Sequence, residues 1–146
     1  MRWTSHGLVV DSVEWPVVRV WVPHDASLEA FQALLDYYEE LCGPVGEPTV
    51  IWITDFSEFD PFFGSPTVRR AAADLFRQHR PTLEKSTLCE ARIAKNPVTR
   101  GIMLAFDWLT GAKWPTGNFA TEDEARTWIM SQTGRWVGPP PSRPPE

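Results

Sequence analysis

Residues 50–54 read Val-Ile-Trp-Ile-Thr, an unbroken apolar run that is typical of a central strand covered on both faces. A polar loop begins directly after this run, at Asp55. The segment before it repeats apolar residues at helical spacings of three and four, at Leu28, Phe31, Leu35, Tyr38 and Cys42. The segment after it does the same at Val68, Ala72, Leu75 and Phe76. A strand between two helices of crossover length predicts a parallel sheet.

Strand patterns and helix patterns also alternate along the rest of the chain. We predict a hairpin of strands over 7–10 and 17–22, joined by a turn at residues 14–16, and later strands over 88–94 and 118–120. Cap residues at Asp25 or Ser27, Ser65, Asn96 and Thr121 mark four helix starts, and Pro81 should break or restart the second helix. The predicted order is ββαβαβαβα, a mostly parallel α/β sheet with an antiparallel edge hairpin and helices packed on it.

The chain of 146 residues predicts one domain over 1–134 and a proline-rich tail over 135–146. From residue 138 the tail reads Gly-Pro-Pro-Pro-Ser-Arg-Pro-Pro-Glu and offers no core residue. We therefore expect residues 138–146 to be dispensable for folding.

Charge and composition exclude several classes of protein. A net charge of −5 argues against a nucleic-acid binder, and the longest apolar stretch is far shorter than a membrane span. The first residues lack the apolar core of a signal peptide, so we expect a cytoplasmic location. Cys42 and Cys89 form no metal or redox motif and should be small apolar residues.

Three stretches resemble the STAS domain of anti-anti-sigma factors and, more closely, small uncharacterised bacterial proteins of SpoIIAA-like type. They are the strand and turn over 50–57, the helix that begins at Asn96-Pro97, and the short strand and capped helix within 114–125. The resemblance covers roughly residues 3–131. It implies a bacterial domain that binds proteins, or in some members nucleotides or lipids, without catalysis.

Ser65 occupies the place of the serine that is phosphorylated in the anti-anti-sigma family. In that family an aspartate precedes this serine, whereas here Gly64 precedes it and Pro66 follows it. Two roles remain open for Ser65: a phosphoryl switch, and a plain cap for the second helix.

The loop after the central strand is unusually aromatic. In open α/β sheets this end of the strands is where ligands bind, so the loop is a candidate ligand or partner site. Its candidate residues are Asp55, Phe56, Ser57, Phe59, Phe62 and Phe63. The phenylalanines either cover the core or line an apolar pocket or partner surface.

Charge is segregated along the chain. Residues 20–68 contain nine acidic side chains and neither Lys nor Arg, whereas residues 69–100 contain eight basic and three acidic side chains. These faces are either solvated or form a dipolar surface that orients a partner or a second copy. The candidate surface comprises Arg69, Arg70, Arg77, Arg80, Glu29, Asp36, Glu39 and Glu40.

The sequence shows neither a nucleophile elbow nor a metal-binding pattern. Gly64-Ser65-Pro66 lacks the second glycine of an elbow, and the acids at 55, 58 and 60 do not match an EF-hand loop. We therefore expect no enzyme, no cofactor and no metal. The first hypothesis is a regulatory protein-interaction module that acts through its charged surface. The alternative is a domain that binds an apolar or phosphate-bearing ligand at the phenylalanine-rich loop.

Overall fold

Strands and helices alternate along most of the chain. The structure, a computed structural model, describes residues 1–60, 65–111 and 113–141. The strands are β1 (Arg2–Ser5), β2 (Leu8–Asp11), β3 (Val17–Trp21), β4 (Val50–Asp55), β5 (Thr87–Ile93) and β6 (Thr116–Phe119). The helices are α1 (Leu28–Cys42), α2 (Pro66–Ser86), α3 (Pro97–Thr110) and α4 (Glu122–Thr133).

The six strands form one sheet in which they lie in the order of the chain. β1, β2 and β3 pair antiparallel, and β3 to β6 pair parallel. This confirms the mostly parallel sheet with an antiparallel edge. The structure adds β1, which the sequence analysis did not predict because its four residues carry a weak pattern. Trp3 anchors this strand by stacking on Tyr37 of α1, with ring centroids 4.7 Å apart.

Alternation along the strands separates two hydrophobic cores. Val18 and Val20 belong to the core beneath α1 and α2, whereas Val17 belongs to the core beneath α4. In β5, Cys89 and Ala91 likewise face α4. The sheet is therefore covered on both faces, as the apolar run at 50–54 predicts.

Each helix begins at a side chain that accepts a backbone hydrogen bond. Ser27 caps α1, Ser65 caps α2, Asn96 caps α3 and Thr121 caps α4. Of the two caps predicted for α1, the structure uses Ser27 rather than Asp25. Within the described ranges, every helix is too short or too polar to cross a membrane.

The prediction that Pro81 breaks the second helix is wrong. α2 runs without interruption from Pro66 to Ser86 and holds Pro81 in its interior. The turns after Pro81 are fixed by contacts outside the helix: Leu83 is buried, Thr82 donates to Glu39 of α1, and Lys85 donates to the carbonyl of Gly43. Tertiary contacts thus override the local preference of proline.

The first residues beyond the predicted domain boundary at 134 pack on the domain. Val137 is 1% exposed and lies in the core beneath α4. The carbonyl of Gly138 accepts a hydrogen bond of 2.8 Å from Arg19 of β3. The division into a domain and a tail stays a prediction, but residues 137 and 138 contact the domain and are not free of it.

Candidate functional site

A cavity of ≈ 210 Å³ lies between the sheet and the helices α1, α2 and α3. Most of its wall is apolar and comes from all three helices and from the loop after β4. The aromatic part of this wall consists of Phe31, Phe56, Phe59, Phe76 and Phe106. Phe106 meets Phe31 and Phe76 edge to face, with centroids 6.3 and 5.8 Å away, so rings from three helices form one side of the space.

The phenylalanine-rich loop contributes directly to this cavity. Phe56 and Phe59 line it and contact each other edge to face, with centroids 5.8 Å apart. The backbone N–H of Phe56 donates to the carbonyl of Ile93, which ties the start of the loop to the end of β5. Phe62 and Phe63 lie outside the described residues.

Asp55 and Ser57 belong to the other side of the sheet. They line a second cavity of ≈ 410 Å³ beside the start of α4, which Pro140 and Pro141 also line. The Asp55 carboxylate accepts a hydrogen bond of 2.8 Å from the backbone N–H of Ser57 and thereby forms a local turn. The four described residues of the loop that was predicted as one site are thus divided between the two faces of the sheet.

The second cavity contains a buried arginine whose guanidinium is engaged within the protein. Arg19 is 4% exposed, donates to the Glu122 carboxylate at 2.6 Å and donates to the Gly138 carbonyl at 2.8 Å. Lys95 and Asp55 also line this space, so its wall carries both signs of charge.

A cluster of charged side chains forms the polar end of the first cavity. Glu90 and Arg92 alternate along β5 and therefore face the same helices. Arg92 donates to both carboxylate oxygens of Glu90 at 3.2 Å and to Asp107 of α3 at 2.6 Å. Glu90 also accepts from the indole N–H of Trp114 at 3.2 Å.

Burial governs the ionisation of this cluster. Desolvation alone would lower the pKa of Arg92, but Glu90 and Asp107 raise it above its ordinary value. Desolvation raises the pKa of Asp107, and the neighbouring guanidinium opposes that shift. Desolvation and then Glu90 raise the pKa of Tyr38, which also lines the cavity. Arg92 is therefore held as a cation, and the Tyr38 phenol is neutral at physiological pH.

Ser65 lies at the start of α2, where its hydroxyl accepts a hydrogen bond of 3.2 Å from the backbone N–H of Val68. Its backbone is extended and Pro66 occupies the first helical position. The geometry is that of a helix cap on an exposed residue, and it leaves phosphorylation of Ser65 as a prediction.

Part of the predicted basic surface is engaged within the molecule. Arg80 donates to the carbonyl of Thr110 at 2.7 Å and lies 3.4 Å from Glu84. Arg77 pairs with Asp74 one turn before it on α2. Arg69 lines the first cavity, and Arg70 is exposed.

The acidic surface is divided in the same way. Glu39 accepts from the His79 ring at 2.9 Å and from the Thr82 hydroxyl at 2.8 Å, so it joins α1 to α2. Asp36 accepts from Gln32 at 2.8 Å and lies 3.9 Å from the His79 ring. Glu29 and Glu40 are exposed on α1. Some of the charge segregation in the sequence therefore serves the contact between α1 and α2.

No metal-binding group is formed by three or more His, Cys, Asp or Glu side chains across residues 1–60, 65–111 and 113–141. Cys42 and Cys89 are both free and buried, and burial raises the pKa of each thiol. Neither thiol is therefore poised as a nucleophile.

The polar end of the first cavity was not predicted from the sequence. Glu90 and Arg92 sit two residues apart on one face of a strand whose other face is apolar, and that pattern signals a buried ion pair when both faces are covered. No local pattern indicates that Thr54 and Thr99 line the same cavity, because their common location depends on how α3 packs on the sheet.

The comparisons with known proteins bear on the fold. No family model matches the sequence, and no curated protein is significantly similar to it. The structure is similar to the crystal structure of an uncharacterised DUF3478-family protein from Shewanella loihica, which is described as having a SpoIIAA-like fold. The TM-score is 0.62 at 14% sequence identity, and the match covers 88% of this chain and 98% of that one. Together with the order of strands and helices, this similarity shows that the chain has a SpoIIAA-like fold.

Proposed function

We propose that this protein binds a small apolar molecule in the cavity between the sheet and α1, α2 and α3. The observation that carries the proposal is the phenylalanine-rich wall around a space of ≈ 210 Å³. An engineered apolar cavity of about 150 Å³ stays dry and takes up benzene, so a larger apolar space is suited to an organic guest. The proposal follows the alternative hypothesis from the sequence, a ligand-binding domain at the phenylalanine-rich loop, with an apolar rather than a phosphate-bearing ligand.

Binding without catalysis is supported by the composition of the wall. Among the described residues that line the cavity, the ionisable groups are Tyr38, Arg69, Glu90 and Arg92, and neither His nor Cys is present. Glu90 and Arg92 neutralise each other in part, and the neutral phenol of Tyr38 is a poor base. These groups suit recognition of a guest rather than general base or nucleophilic chemistry.

The proposal is tested by titrating the protein with N-phenyl-1-naphthylamine, an uncharged dye that fluoresces in apolar surroundings. We expect saturable binding of one dye per chain. Ala72→Trp, which places an indole in the cavity wall, should weaken binding at least tenfold. Ala105→Trp is the matched control, because Ala105 is exposed on α3 and does not line the cavity.

Absence of saturable dye binding would contradict the proposal, as would equal affinity in the wild type and Ala72→Trp. Because overpacking destabilises cores, urea unfolding of both variants must show that each is folded at the temperature of the titration.

A second candidate is the protein-interaction module acting through the charged surface. It is supported by the exposed charges of opposite sign on the two helices, Glu29 and Glu40 on α1 and Arg70 on α2. A partner of complementary charge, or a second copy, would use those positions without disturbing the contacts between α1 and α2.

A further inference from the structure

The polar end of the cavity is built by the register between β4 and β5. Thr54 lies beside Arg92, and Trp52 lies beside Glu90, so all four side chains face the helices. Thr99, in the first turn of α3, lines the same cavity from above the sheet. The guest therefore meets threonine hydroxyls and a charged cluster at one part of a mostly apolar wall.

The two threonine hydroxyls are available to a guest. Thr54 is 5% exposed and Thr99 is 2% exposed, and both line the cavity. Within the part of the chain that the structure describes, neither hydroxyl forms a hydrogen bond with another protein group. A guest that displaces water from these hydroxyls must supply a donor or an acceptor in its place, so a guest that can do so gains affinity over one that cannot.

The charged cluster disfavours an anionic guest at this end. Arg92 donates hydrogen bonds from all three of its side-chain nitrogens to Glu90 and Asp107, so its guanidinium is already paired with two carboxylates. A third carboxylate or a phosphate would approach the Glu90 carboxylate, which also lines the cavity. Like charges in a poorly solvated space repel strongly. Arg69, the other cation of the wall, already makes a contact of its own.

We propose that the guest is an uncharged amphiphile whose hydroxyl-type group bonds to Thr54 and Thr99, in preference to a carboxylate or phosphate ester of the same chain length. This inference rests on the proposed function and narrows its ligand class. The apolar chain of such a molecule lies among the phenylalanines, and its hydroxyl both accepts from one threonine and donates to the other.

The test is competition against N-phenyl-1-naphthylamine with two probes, 1-octanol and octanoate. We expect 1-octanol to displace the dye from the wild type at least tenfold more effectively than octanoate. Because an apolar site of any kind favours the alcohol to some degree, the decisive comparison is between variants.

Thr54→Val/Thr99→Val keeps the shape of both side chains and removes both hydroxyls. Its affinity for 1-octanol, obtained by competition and corrected for the variant's own affinity for the dye, should fall roughly three- to tenfold for each hydroxyl lost. Thr110→Val is the matched control: Thr110 lies on α3 and is 1% exposed, but it does not line the cavity. Glu90→Gln removes the negative charge that faces the guest and should therefore raise the affinity for octanoate relative to that for 1-octanol.

The outcomes separate this inference from the proposed function. If the dye binds and octanoate competes as well as 1-octanol, the inference is overturned and the apolar site stands. The same holds if the double threonine variant keeps its full affinity for 1-octanol. If the wild type binds no dye, both proposals are overturned. The comparison of 1-octanol with octanoate on the wild type does not depend on a variant. It can therefore overturn the inference even if a variant folds poorly.

Discussion

Ser65 combines an extended backbone, a hydroxyl bonded to Val68 and a proline at the next position. Each of these features belongs to the start of a helix, and the sequence alone was sufficient to predict them. A phosphate at Ser65 would lie at the positive end of the α2 dipole, where negative charge is favourable. A helix cap and a phosphorylation switch at Ser65 are therefore physically compatible, and only substitution of Ser65 distinguishes the two roles.

Ser65→Ala should lower the free energy of unfolding by about 1 kcal/mol, because the hydroxyl that satisfies the Val68 N–H is lost. Ser65→Asp should retain most of the stability, since aspartate is an equally good cap. Urea unfolding of the two variants measures both effects, with Ser57→Ala as a control on an exposed serine that caps no helix. A Ser65→Asp variant as unstable as Ser65→Ala would contradict the cap.

Burial of Cys89 determines the direction in which its thiol makes the free energy of unfolding depend on pH. Desolvation, and to a smaller extent Glu90, raises the pKa of its thiol from the ordinary 9.0 to about 11. Between these values the unfolded chain has released the proton and the folded chain has kept it. The free energy of unfolding should therefore decrease as the pH rises from 9 towards 11.

Urea unfolding under reducing conditions from pH 8 upward measures this decrease. Cys89→Ala should show a shallower decrease, with the remainder due to groups such as Cys42 and Tyr38, whose pKa values burial also raises. An identical slope in Cys89→Ala and the wild type would show that the Cys89 thiol does not titrate in this way.

The location of a side chain could be predicted where it follows from the chain's local pattern, whereas the role of each candidate site residue stays a prediction. Phe56 and Phe59 were expected at an apolar pocket or in the core, and the structure places them in the wall of a cavity. Thr54 and Thr99 were not expected, because a threonine in a strand or in a first helical turn is ordinary. Their common location comes from the packing of α3 on the sheet, which no local pattern encodes.

At the scale of elements, caps were easier to predict than interruptions. Ser65, Asn96 and Thr121 were recognised because cap chemistry depends on a few adjacent residues. The continuation of α2 past Pro81 depends instead on Leu83 and Thr82 meeting distant groups. β1 was missed for a related reason, since its stability comes from pairing with β2 and from the contact of Trp3 with α1.

The segment after α4 illustrates the same dependence on tertiary contacts. Val137 fills a place in the core beneath α4, and Gly138 accepts a hydrogen bond from the buried Arg19. The proline-rich composition of residues 138–146 favoured the prediction of a tail without core residues. It gave no sign that Val137 and Gly138 contact the domain.

Two truncations test this assignment. Deletion of residues 139–146 should leave the melting temperature nearly unchanged. Deletion of residues 135–146 should lower it by about 5 °C or more, because it exposes the pocket of Val137 and leaves Arg19 without the Gly138 carbonyl. Thermal unfolding followed by circular dichroism makes the comparison. Equal melting temperatures for the two truncations would mean that Val137 and Gly138 do not hold this segment to the domain.

At the scale of the whole molecule, the sheet separates two unlike environments. The face under α4 holds a core and, beside the start of α4, a cavity whose wall carries both signs of charge, whereas the face under α1, α2 and α3 holds the apolar cavity. Fold class and sheet direction could be predicted because hydrophobic periodicity is a property of the sequence. An apolar pocket at the phenylalanine-rich loop was one alternative, but the walls and volume of the cavity could not be predicted, because they depend on how whole helices pack.

The charge distribution of the whole molecule gives a prediction for the second candidate function. If the exposed charges bind a partner or a second copy, association should weaken steeply as salt rises, since exposed charges are screened beyond about 8 Å at physiological ionic strength. Arg70→Glu should weaken association while leaving the fold intact. Native mass spectrometry and sedimentation at low and high salt give the dimer fraction. A dimer fraction that changes neither with salt nor in Arg70→Glu would leave these charges as solvated faces.

The position of a bound guest can be measured directly by NMR with ¹³C-methyl-labelled methionine. Met103 lines the cavity on α3 and is 7% exposed, whereas Met130 lies on α4, on the opposite face of the sheet, and is 46% exposed. With 1-octanol bound, we expect intermolecular nuclear Overhauser effects between the alkyl chain and the Met103 methyl group, and none at Met130. Saturable binding with contacts at Met130 alone, or with none at Met103, would contradict an apolar binding site beneath α3.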